Sequence, residues 1–218
     1  DKIDDVTDAG NKAALQAQLN ELVAGIAGVN LADAREKTRL AAEDPTVEKI
    51  AAANAAIDLV SDGSDKTNLM SVTAAADKVR IALAAGAQAV ADGEQNRAAD
   101  LAKVAEAQGF VNEILGAENA NNKKELQDLL YAAKFRVEFA EVLSKDPADT
   151  TGYTRAEVEA AYWDHGFPAG SDVRKHLLAE KAKLEEMLNN IGAQDSINLN
   201  SAINAVNKVS ASSTQTNI

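Results

Sequence analysis

Residues 123–140 read Lys-Lys-Glu-Leu-Gln-Asp-Leu-Leu-Tyr-Ala-Ala-Lys-Phe-Arg-Val-Glu-Phe-Ala, and this stretch decides the fold. Leu126, Leu129, Leu130, Ala133, Val137 and Ala140 recur at steps of three and four, which puts them on one face of a 3.6-residue period. Phe135 and Phe139 flank that face. No apolar–polar alternation runs through the segment, so it reads as an amphipathic helix and the most buried one in the chain.

The same period extends in both directions. Leu15, Leu19, Leu22, Val23 and Ile26 form one stripe, with Gly25 and Gly28 expected to close that helix. Asn30 is then expected to cap a second helix over 31–42, and Asp44-Pro45 to open a third that carries Val47, Ile50, Ala53 or Asn54, Ile57 and Val60. A fourth helix spans about 65–91, with Leu69, Val72, Ala76, Val79, Leu83 and Val90 inward and Gly86 as a possible bend. Asp92-Gly93-Glu94-Gln95 has the form of a capping box before a helix that ends near Gly116. Thr154-Arg155-Ala156-Glu157 is a second such box. Ser171 is expected to cap a helix with Val173, Leu177, Leu178, Leu184, Met187, Leu188 and Ile191 inward, and Asp195 to open a last one through Val209. The pattern predicts an all-α protein, a multi-helix bundle of about nine helices with short loops. The polar run 118–122 suggests two helical lobes, 1–116 and 117–209, followed by a serine- and threonine-rich tail or linker over 210–218.

Composition narrows the functional classes. Alanine dominates the apolar residues of this 218-residue chain and aromatics are only 4%, so the core should be thin and its helices close. The formal net charge of −12 disfavours nucleic acid and anionic membranes, both of which need a basic footprint. No apolar run approaches the roughly 20 residues that a spanning helix needs. With no cysteine there is no thiolate catalysis and no disulfide. The two histidines, His165 and His176, lack metal-ligand spacing, and neither phosphate loops nor a nucleophile elbow occur. The chain therefore reads as no enzyme, with no cofactor. Asp62-Gly63-Ser64-Asp65 faintly matches a calcium loop, but Thr73 stands where such a loop needs glutamate, leaving Asp62 and Asp65 as weak calcium candidates. The remaining unusual feature is an aromatic cluster, Tyr153, Tyr162, Trp163, His165, Phe167 and Pro168, around one turn. It either plugs the end of a bundle or offers a partner-contact surface.

Residues 10–19 (Gly-Asn-Lys-Ala-Ala-Leu-Gln-Ala-Gln-Leu) and 201–209 (Ser-Ala-Ile-Asn-Ala-Val-Asn-Lys-Val) resemble the alanine-rich helical repeats of bacterial surface-layer and cell-wall-associated proteins. The span 149–162, with Gly152-Tyr153-Thr154 before an acidic helix, is similar to another element of those modules. The resemblance implies an extracellular, cell-surface architectural role, with self-association or another surface component as partner and no membrane insertion. The opening at Asp1, without methionine or signal peptide, is what a processed mature protein or an excised segment would show. A helical small-ligand or ion-binding domain is the alternative expectation.

Overall fold

The computed structural model describes residues 2–93, 95–163 and 170–215. Among them are eight α-helices and no strand: α1 (Ala9–Glu43), α2 (Val47–Asp58), α3 (Ser64–Asp92), α4 (Arg97–Glu113), α5 (Ala120–Glu138), α6 (Ala140–Ser144), α7 (Arg155–Trp163) and α8 (Leu178–Gln215). Short 3₁₀ turns cover Ala117–Asn119 and Val173–His176. The all-α class is thus as read from the sequence, while several boundaries move.

Two expected breaks are absent. Gly25, Gly28 and Asn30 lie inside a continuous α1, and Gly192 and Asp195 inside a continuous α8. A helical glycine costs about 1 kcal/mol relative to alanine, which weakens a helix without stopping it. Asn30 caps nothing; its amide donates to the Leu59 carbonyl at 3.2 Å, tying α1 to the end of α2. Asp44 closes α1, its N–H bonding to Leu40 O, and Thr46 caps α2 by accepting from Lys49 N at 3.3 Å. Pro45 therefore precedes the cap instead of filling the first helical turn. Gln95 also lies ahead of α4, not within its first turn, and Asp92, the expected cap, is the last residue of α3. Glu94, in that motif, lies outside the described residues. One break was not expected: at Phe139 (φ −111°, ψ 20°) the chain jogs between α5 and α6, although Phe139 N still bonds to Phe135 O. The tail read as a linker is helical as far as Gln215.

The contacts gather into two units, Asp1–Leu83 with Ala102–Leu130, and Ala84–Leu101 with Tyr131–Ile218. Residues of α3, α4 and α5 contribute to both. In the first unit Ala34 of α1 packs with Ala56, Ile57, Val60 and Leu69, and Leu31 covers their edge. Small residues on α1 (Ala34, Thr38, Ala41, Ala42) allow close helix approach, as the alanine content predicts. In the second unit Phe135, Leu143, Val158, Ala161, Val173, Leu177, Leu184 and Met187 form the core. The inward stripe read on α5 is buried throughout, from Leu126 to Val137. Val47 and Leu178, expected inside, are exposed.

Candidate functional site

Four places bear on function, and each is built from local chemistry. The capping box is the best defined. Thr154 Oγ1 and Thr154 N both donate to Glu157 Oε2, at 2.8 and 2.7 Å, and Glu157 N donates back to Thr154 Oγ1 at 3.3 Å. The hydroxyl bond and then the backbone bond hold the Glu157 carboxyl below its ordinary range. A group with a lowered folded pKa stabilises above its unfolded pKa, and that contribution is lost as pH falls through the folded value. Thr154→Ala is therefore expected to cost about 1 kcal/mol at neutral pH and to return the Glu157 titration toward 4.5. Thermal melts should show the difference from wild type shrinking in acid.

The aromatic cluster begins beside this box. Tyr153 is buried, and its hydroxyl donates to Pro147 O at 2.5 Å; Asn190 of α8 donates to the same carbonyl at 2.8 Å. Burial first, then nearby Asp146, Asp149 and Glu186, pushes the Tyr153 phenol up. Tyr162 is half-buried and donates to Glu185 Oε1 on α8 at 2.7 Å. That bond raises the phenol and lowers the carboxyl. Both tyrosines thus join the 146–162 region to α8 as packed, hydrogen-bonded groups. His165, Phe167 and Pro168 lie outside the described residues, as does the side chain of Trp163.

The third place is a cleft of about 460 Å³ in the first unit, lined by Arg35 and Arg39 of α1, Asp65 and Asn68 of α3, and Glu118 and Asn121 near the start of α5. The polar side chains in its lining are already cross-linked. Arg35 pairs with Asp65 at 3.0 Å, Arg39 with Glu36 at 2.7 Å and with Glu43, and Asn68 donates to Glu118 at 2.9 Å. Sequence reading missed it, because its residues come from three distant segments that share no motif. The calcium candidates part here: Asp65 faces Arg35, whereas Asp62 pairs with Lys66 at 3.2 Å. Among the described residues no three His, Cys, Asp or Glu gather as a metal site.

The fourth place is the N-terminal half of α1. Every residue from Asn20 to Val29 is exposed. Leu22, Ile26 and Val29 are 62%, 52% and 69% exposed, and Leu15 and Val23 are also exposed. The stripe read as core-facing is real in its spacing but lies open except at Leu19, which is half-buried. On α8, Ile197, Leu199 and Ile203 are likewise exposed. No described helix is long and apolar enough to cross a membrane. Compared with protein-family models, with curated proteins and with solved structures, the chain matches none.

Proposed function

We propose that this chain is a structural or interaction module of an exported bacterial surface protein, of the surface-layer, adhesin or extracellular-filament kind, without enzymatic activity. The observation that carries the reading is the exposed apolar half of α1. Large exposed apolar stretches mark association surfaces, and a helix standing alone in water draws little stability from propensity alone. The net charge of −12 and the alanine-rich helices accord with the resemblance to surface modules. Fractionation of the source cells with immunodetection tests it: the protein should appear in the wall or medium and be open to added protease on intact cells. Confinement to the cytosol would overturn the reading.

A second reading, a small-ligand-binding domain, draws on the cleft beside Arg35 and Asn68. A ligand there would have to displace the Arg35–Asp65 or Asn68–Glu118 contact, so the cleft supports this reading less than α1 supports the first. A thermal-shift screen of small polar ligands separates them, because only a ligand site raises the melting point with ligand concentration.

A further inference from the structure

We infer that the N-terminal half of α1 pairs with the same segment of a second copy of this chain. The inference rests on the module reading and names its partner. Leu15, Leu19, Leu22, Ile26 and Val29 follow one another at intervals of four, three, four and three. That is the a/d seam of a coiled coil, in which each side chain enters a hole on a facing helix. The occupant is therefore a helix. The exposed trio on α8, Ile197, Leu199 and Ile203, has intervals of two and four and makes no such seam.

Charge identifies which helix fits. Positions flanking the seam hold Gln16, Gln18, Val23 and Gly25, with no charge among them. In heterotypic coiled coils those positions select the partner through opposite charges, and here nothing selects against an identical strand. Across residues 9–30 only Lys12 and Glu21 are charged, and they cancel. Two copies of a chain carrying −12 can meet along this segment without like-charge repulsion. Pairing also supplies what the segment lacks, since Gly25, Gly28 and the β-branched Val23, Ile26 and Val29 all lower intrinsic helix stability. Leu22 lies at the centre of the seam. In a parallel pair each residue of the seam faces its own copy, so Leu22 meets Leu22.

The absence of cysteine makes the test direct. In the full chain, Leu22→Cys should form a disulfide-linked dimer on mild oxidation. Ala24→Cys, placed on the far side of the helix from the seam, should not. Light scattering on wild type should give twice the monomer mass at high concentration, falling to the monomer on dilution. Leu22→Glu with Ile26→Glu should stay monomeric throughout while circular dichroism shows the melting of the rest of the chain unchanged. A wild-type monomer at the highest soluble concentration would overturn the pairing. So would a Leu22→Cys chain that links to a Leu199→Cys chain but not to itself. A monomer that is nonetheless found at the cell surface overturns the pairing and leaves the module reading standing, whereas a cytosolic dimer does the reverse.

Discussion

Arg136→Ala is expected to destabilise the protein by about 3 kcal/mol, a drop in melting temperature on the order of 10 °C for a chain of this size. Arg136 of α5 donates from Nε to Glu180 Oε1 at 2.5 Å and from Nη2 to His176 O at 2.8 Å. Its side chain is 20% exposed and that of Glu180 16%, so water screens the pair only in part. Glu180 Oε2 accepts no hydrogen bond among the described residues. Removing the guanidinium therefore leaves a mostly buried carboxylate without its cation, and the penalty comes from that stranded charge more than from the lost bond. Arg136→Met combined with Glu180→Leu removes both charges and should recover most of the loss. Urea or thermal unfolding followed by circular dichroism reads both variants. A single-variant loss below about 1 kcal/mol would mean that the pair behaves as an exposed one.

The second large effect lies at Gly86. A Cβ there would stand 2.9 Å from Ala133 O and 3.3 Å from Ala133 Cα, both backbone atoms of α5. Glycine at this position is what lets α3 and α5 approach so closely. Gly86→Val must push the two helices apart, and overpacking of this kind costs roughly 1–3 kcal/mol. Gly109 in α4 gives the contrast, for a Cβ there meets nothing within 4 Å. Gly109→Ala should stabilise by about 0.5–1 kcal/mol, through helix propensity and a less flexible unfolded chain. Equal effects at the two glycines, measured by chemical denaturation, would refute the close-approach argument.

What could be read in advance follows how local each determinant is. The box at Thr154 and Glu157 was legible because its partners stand three residues apart and depend on nothing else. The stripe from Leu126 to Val137 was legible because a wholly buried face imposes its period on the sequence. Asn30 was misread for the opposite reason: its partner is Leu59 O, 29 residues away, and no local pattern reports that. Gly28 and Asp195 carry helix-boundary signals that neighbouring turns override, since each sits in a helix of 35 or 38 residues. The Leu15–Ile26 stripe shows a further limit. Periodicity says that a face seeks burial, but not whether the burying surface belongs to the same molecule. The cleft beside Arg35 left no trace because it needs residues 35, 68 and 118 to meet in space.

The continuity of α1 has one more consequence. Its N-terminal seam and the buried Ala34, Thr38, Ala41 and Ala42 belong to a single helix, so their angular phases are locked. One residue inserted between Asn30 and Ala34 would turn the seam by about 100° about the helix axis and advance it by about 1.5 Å. Seven inserted residues, close to two turns, would restore its heading at a greater distance. The helix thus acts as an indexing shaft. It sets the bearing at which any neighbour engaged by the seam is presented to the first unit, and that bearing is encoded by residue count alone.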